Sequence, residues 1–277
     1  MERKPSIISI TWARNEEDII ESFVRRNCEN LDKMIIILHK TEDSSRDILE
    51  RLKQEGFPLD IRGDSSPVHR QSKALTRLMR EVVSELHPQW ILPLDADEFL
   101  CVDGGTTIKQ EISGLPKDRV TNIPWRTYVP TPADDDSESD VLLRIINRRV
   151  VESPQYCKIF VPIELAKNIN AYLPLGNHEL CGVDAPSPNI DHSLYLAHFP
   201  IRSEKQLRNK IIKGWKSHIS DPDRQEGQIY QWEELVDRCG DPKKITREEL
   251  EKIAKAYAFR RDNSPEDCRL ICDPLTI

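Results

Sequence analysis

Trp90-Ile91-Leu92-Pro93-Leu94-Asp95-Ala96-Asp97-Glu98-Phe99-Leu100 is an apolar run that enters two carboxylates spaced i, i+2 and then returns to apolar residues. In an extended segment side chains alternate, so Asp95 and Asp97 project to the same side. Hard oxygen ligands presented this way at the end of a buried strand suit a divalent cation. The competing reading is a solvated acidic turn, since short acidic motifs arise by chance. What surrounds the stretch decides between them.

Upstream, Ile7 to Trp12 is short, β-branched and bounded by polar residues, the pattern of a strand. Asn15 stands where a helix N-cap is expected, with Glu16, Glu17 and Asp18 as a first turn. Ile19, Ile20, Phe23 and Val24 then recur at helical spacing. Met34 to Leu38 reads as a second strand, followed by the polar turn Thr41–Ser45 and a helix carrying Ile48, Leu49 and Leu52 that Gly56 ends. Pro58 to Ile61 is a third strand. Ala74, Leu75, Leu78, Met79, Val82, Val83 and Leu86 trace a long amphipathic helix leading to the strand before Asp95. Strand and helix thus alternate four times, the pattern of a parallel sheet covered on both faces. Ligands of such sheets bind beyond the carboxyl ends of the strands. Each suspicious polar cluster, at 11–16, 39–45, 62–73 and 95–98, follows a strand.

Downstream the period changes. Val120 to Val129 and Val141 to Val151 read as strands joined by the acidic run 134–140, taken as a mobile, solvated loop, with a lid as the sharper alternative. Cys157 to Ile163 and Ser193 to Ala197 extend a mixed sheet, and 203–217, 229–239 and 246–258 read as helices. The expected division is a domain over 1–200 and a helical extension over 201–277.

The 277 residues, 38% hydrophobic and 31% charged, are those of an ordinary soluble protein, with no run approaching the roughly 20 residues that span a membrane. The opening residues Met1–Ile7 lack a long apolar segment and cleavage site, so a cytoplasmic location is expected. Net charge is −7, which argues against nucleic acid as partner. Seven cysteines form no CxxC pair and suggest reduced thiols. Cys268 and Cys272 are spaced as neighbours on one helical face.

Trp12-Ala13-Arg14-Asn15-Glu16, Asp43-Ser44-Ser45, Arg70-Gln71-Ser72-Lys73-Ala74 and Asp95-Ala96-Asp97-Glu98 occur in that order, each after an expected strand. Lys158, Gly176-Asn177-His178 and His198-Phe199 with Lys210 and Gly214 come later. Over roughly residues 5–215 the chain resembles the inverting family 2 glycosyltransferases, in particular a bacterial branch with a Trp-x-x-Asn-Glu first loop. The resemblance implies a GT-A fold, a Rossmann-like α/β domain with a mixed, mainly parallel sheet flanked by helices.

It also implies roles. Thr11, Arg14 and Glu16 would contact the nucleobase and ribose, Asp43 would lie near the base or ribose, and Arg70 and Lys73 near the nucleotide. Asp95 would contact the ribose or the metal, and Asp97 would ligate Mn²⁺ or Mg²⁺ bridging the diphosphate, with His198 as a further ligand. Trp125 and Lys158 fall to the sugar or acceptor side. Many members take their base from a Glu-Asp pair that this chain lacks; His178 and Glu179 occupy a plausible place for it. The expected donor is a nucleotide-sugar, a UDP-sugar first, and the acceptor a glycan or lipid-linked intermediate of surface polysaccharide assembly, at the inner face of the membrane.

Lys73 also reads as the solvated face of a helix, Trp125 as a core residue, and His198 as a buried histidine satisfied by hydrogen bonds. His39, His69, His87 and His218 receive no role. A sugar-nucleotide nucleotidyltransferase would carry a glycine-rich loop after the first strand, where this chain has no glycine. A phosphatase with an Asp-x-Asp nucleophile would place that motif early. A non-catalytic relative that keeps the fold as a binding or scaffolding module is the reading from a different class, and nucleotide binding without sugar transfer would identify it.

Overall fold

A computed structural model describes residues 7–66, 70–220, 230–258 and 268–275, with the side chains of 230–234 left aside. Met1–Ser6 and His69 lie outside the described residues. In chain order the elements are β1 (Ile7–Ala13), α1 (Ile20–Asn27), β2 (Lys33–His39), α2 (Ser45–Gln54), β3 (Leu59–Asp64), α3 (Gln71–Glu85), β4 (Trp90–Pro93) and β5 (Glu98–Val102). Then follow α4 (Ile108–Ser113), β6 (Thr121–Thr127), α5 (Val141–Arg144), β7 (Asn147–Arg149), β8 (Cys157–Pro162), α6 (Ile163–Ala166), β9 (Asn189–Ile190) and β10 (Leu194–His198). The chain closes with α7 (Glu204–Ile219), α8 (Tyr230–Gly240), α9 (Arg247–Ala256) and β11 (Leu270–Cys272).

Two compact units emerge. The first comprises Met1–Asp64, Arg70–Trp125 and Gln155–Ala197. The second comprises Ser65–His69, Arg126–Pro154 and His198–Ile277.

The fold is a mixed α/β sheet of Rossmann type with helices packed against it. Its strand order is β3-β2-β1-β4-β8-β6-β10-β5, with β9 pairing β6. β3, β2, β1 and β4 run parallel, and β8 is antiparallel to both β4 and β6. All seven residues of β1 are buried, as a strand covered on both faces requires. Ile10, Ile35, Ile91 and Ile159 meet Leu75, Leu78 and Met79 of α3 in the core, each such side chain stabilising the fold by about 1.5–3 kcal/mol. The second unit has its own core, in which Leu207 and Ile211 of α7 pack with Ile245, Leu250 and Ala254. Among the described residues no helix is long and apolar enough to cross a membrane.

Several local expectations are corrected. Asn15 caps no helix: α1 begins at Ile20, and Asn15 takes a left-handed φ of 56° while its Oδ1 accepts the Glu42 amide. Val141–Val151 is not one strand, because the Asp140 carboxylate accepts the Leu142 amide and starts the short α5 before β7. Cys272 lies in β11, antiparallel to β7, so it shares no helical face with Cys268. All seven cysteines are free thiols. The acidic run is laced rather than untethered. Asp134 accepts from Thr131, Asp135 from Ser137, and Arg247 pairs with Asp136 while reaching the carbonyls of Pro132 and Asp134.

Candidate active site

The turn between β4 and β5 closes on itself. The Asp95 amide donates to Glu98 Oε2 at 2.8 Å, and the Glu98 amide donates to the Asp95 carbonyl at 3.1 Å. The Leu94 amide binds the Ile10 carbonyl, which ties the turn to the end of β1. Glu98 is wholly buried, and its Oε1 accepts the Trp125 indole N–H at 2.7 Å. Lys158, on β8 and also wholly buried, donates to Asp95 Oδ2 at 2.7 Å and to the Gly176 carbonyl at 2.7 Å. Its Nζ stands 3.8 Å from Glu98 Oε1. Asp95 Oδ1 accepts the Gln71 side-chain Nε2–H at 3.2 Å. Asp97 is 4% exposed, whereas the Asp95 side chain is 29% exposed, so Asp95 is the more accessible of the pair.

These charges act as one group. Burial pulls the Lys158 ammonium down, but Asp95, Glu98 and Asp97 outweigh it and leave lysine above its ordinary value. Burial lifts the Glu98 carboxyl well above the carboxylate range against the pull of Lys158, with Asp95 and Asp97 adding to the rise.

The Gly176-Asn177-His178 turn is fastened on two sides. From α3, Gln71 Oε1 accepts the Gly176 amide, the Ser72 hydroxyl donates to the Leu173 carbonyl, and Thr76 Oγ1 accepts the Leu173 amide. From β8, Lys158 holds the Gly176 carbonyl, and His178 Nδ1 lies 2.8 Å from the Cys157 carbonyl. A carbonyl only accepts, so Nδ1 carries the proton and Nε2 the lone pair of the neutral ring. Trp125 meets the imidazole edge-on at 5.1 Å. Burial first, and then the Lys158 ammonium, lower the His178 pKa to about 4.

The unfolded chain, with histidine at its ordinary value of about 6.5, therefore binds this proton more tightly than the fold. Stability from the neutral ring is complete above about pH 6.5 and is lost as pH falls toward 4. Urea midpoints measured across that window should fall less steeply in His178→Gln than in the natural chain; parallel slopes would remove His178 from the balance.

Gly176 is required where it stands. Its φ is +84°, and an added Cβ would lie 2.8 Å from both Cδ2 and Nε2 of the His178 ring. Trp125, Tyr156 and Cys157 hold that ring. Gly176→Ala is expected to lower unfolding free energy by about 1–2 kcal/mol and to displace the imidazole. A urea melt reads the first effect, and the histidine side-chain NMR signals read the second.

A second cluster forms from the loops after β1 and β2. Asp43 Oδ2 accepts the Glu17 amide at 3.0 Å, and its Oδ1 accepts both the amide and hydroxyl of Ser45. The Ser45 hydroxyl also accepts the Glu16 amide at 2.9 Å. Thr11 is buried, and its Oγ1 has no hydrogen-bond partner among the described residues. Arg14 is half-buried, and burial lowers its pKa against the opposing pull of Glu42. Arg70 and Lys73 are exposed at the start of α3, and Lys73 lines an open groove of about 780 Å³ with Arg77, Arg80 and Tyr172.

Of the residues singled out from sequence, the first unit brings Asp95, Lys158, Trp125 and His178 into one network. Lys158 and Trp125, which the resemblance assigns to the sugar or acceptor side, are buried and bonded to Asp95 and Glu98 of the carboxylate turn. Asp43 serves as a clasp between two loops. Glu179 is exposed. His198 belongs to the second unit, where it is buried with its ring 5.9 Å from that of Tyr257. Sequence reasoning missed Glu98 and Gln71. Glu98 looked like one more acid of the turn, although its place before Phe99-Leu100 was a signal of burial.

No family profile and no curated protein sequence matches the chain. Among solved structures it is similar in part to the mannosyltransferase PcManGT from Pyrobaculum calidifontis, solved with GDP-Man and Mn²⁺, at 14% identity and a TM-score of 0.35. That match covers 44% of this chain and 36% of the mannosyltransferase. A mycobacterial protein of known structure is similar at 13% identity and a TM-score of 0.31, over 44% of this chain and 42% of its own. The chain thus spans less than half the length of either.

Proposed function

We propose that the chain is a metal-dependent inverting glycosyltransferase that moves a sugar from a nucleotide-diphosphate donor, a UDP-sugar first, to a glycan or lipid-linked acceptor. The observation that carries this reading is Asp95, held by Lys158 and Gln71 and followed at i+2 by Asp97, beyond the carboxyl end of β4. That end of a parallel sheet is where such folds take their ligands. The ordered motifs after β1, β2 and β3 add to it.

The donor set fits a shared cation. Mg²⁺ and Mn²⁺ use one or two protein carboxylates and complete their shell with substrate phosphates and water. No group of three or more His, Cys, Asp or Glu able to hold an ion occurs among the described residues, so a self-sufficient cage is not the expectation. In this reading Asp97 and Asp95 would hold the ion, as two carboxylates rather than a closed cage. When bound, the ion supplies stabilisation of the charge that develops on the departing nucleotide.

The chain's own residues have separate tasks. Arg14 and Glu16, in the loop after β1 that Ser45 and Asp43 tie down, and Thr11 on β1 are the proposed contacts to the base and ribose. Arg70 and Lys73 offer positive charge to the nucleotide. Exposed Glu179 and His178, the latter with Nε2 as its lone-pair atom, are the two residues proposed to take the acceptor hydroxyl proton.

Calorimetric titration of UDP and GDP, with Mn²⁺ and with chelator, tests the reading. Manganese-dependent binding of one nucleotide diphosphate supports it and directs which sugar conjugates to assay for transfer. Failure of both to bind overturns the donor-site assignment.

A further inference from the structure

We propose that Lys158 is a fixed positive charge that prevents the carboxylate turn from capturing a divalent cation on its own, so that cation and nucleotide diphosphate bind only together. The inference rests on the nucleotide-sugar reading above and deepens it.

Lys158 projects from β8, which is flanked in the sheet by β4 and β6, and none of its side chain is exposed. The ammonium cannot swing out to solvent, because Asp95 Oδ2 and the Gly176 carbonyl each hold it at 2.7 Å. Gln71 supplies a further N–H to the other Asp95 oxygen. Both oxygens of Asp95 thus already face positively polarised hydrogens.

A dication drawn to Asp95 and Asp97 would come within a few ångströms of this ammonium, in a buried setting where repulsion is poorly screened. A nucleotide diphosphate reverses the balance, since its phosphates bring several negative charges and ligand oxygens of their own. Linkage then makes the effect reciprocal: the factor by which nucleotide tightens the cation equals the factor by which the cation tightens nucleotide. A lysine that merely neutralised buried acids would be needed for folding but would leave the affinity for the cation alone unmoved.

The first arm uses the natural chain. Mn²⁺ titrated alone, followed by calorimetry and by the EPR signal of free Mn²⁺, should bind weakly. The nucleotide diphosphate that binds should tighten it by about a hundredfold. Micromolar binding of Mn²⁺ alone would overturn the proposal.

The second arm isolates the ammonium. In a Glu98→Gln background, where the neighbouring acid can no longer take up a compensating proton, Lys158→Met should tighten Mn²⁺ alone by about tenfold or more. Equal affinity in Glu98→Gln and Glu98→Gln/Lys158→Met would overturn it. Circular dichroism checks that both are folded, and Lys158→Gln in the same Glu98→Gln background repeats the comparison should Lys158→Met not fold. Should neither UDP nor GDP bind under any condition, the donor-site reading fails separately, and the comparison of Mn²⁺ alone between the two variants still settles the role of the lysine.

Discussion

Lys158→Met in the natural background is expected to cost about 3–5 kcal/mol of folding stability, read as a lower urea midpoint at unchanged m-value. The size follows from what is left behind. The substitution conserves much of the stem's volume, so packing loss is minor, but it strips the charge partner from Glu98, which is fully buried. It also leaves Asp95 Oδ2 and the Gly176 carbonyl without their 2.7 Å donor. Removing one member of a buried charge pair is far more damaging than replacing the pair, because Glu98 must then either keep an unpaired, desolvated charge or take up a proton while both of its oxygens accept hydrogen bonds. Glu98→Gln should therefore restore part of the loss when combined with Lys158→Met. A loss below about 1 kcal/mol would mean that water reaches these groups, as it does at surface pairs.

Asp97→Ala should abolish manganese-dependent nucleotide binding, lowering affinity by about a hundredfold or more. The expectation comes from arithmetic on the donor set. With at most two protein carboxylates offered to a shared ion, losing one halves the protein's share of its ligands. Asp97 also contributes a negative charge beside Lys158 and Glu98, so its removal changes the field at the turn. Calorimetry with UDP or GDP, in manganese and in chelator, gives the result directly. Retained metal-dependent binding in Asp97→Ala would withdraw the metal role from this residue and with it most of the support for sugar transfer. The thermal midpoint of the variant serves as the control for a folding defect, since the residue is 4% exposed.

Much of the sheet was written in local pattern. The apolar runs at Ile7, Met34 and Trp90 and the helical spacing over Leu75–Val82 are local signals, and each became the element it implied. The pattern misled where a side chain competes with the backbone at short range. Asn15 binds the Glu42 amide instead of capping a helix, and Asp140 starts a turn of helix inside an apparent strand. The apolar content that suggested one strand over Val141–Val151 cannot register such a contact.

The carboxylate turn itself was legible, because an acidic pair after a buried strand is a departure from the surrounding apolar run. Its electrostatics were not. Lys158 reaches Asp95 across 63 positions, and Gln71 reaches Gly176 across 105. Sequence determined that Asp95 and Asp97 stand at the end of a strand in a parallel α/β sheet, since hydrophobic period and strand–helix alternation act over a few residues at a time. Only the tertiary structure decided that a buried ammonium, a buried carboxyl and a glutamine side chain govern Asp95, because strand order places β8 beside β4 and nothing local encodes that neighbour.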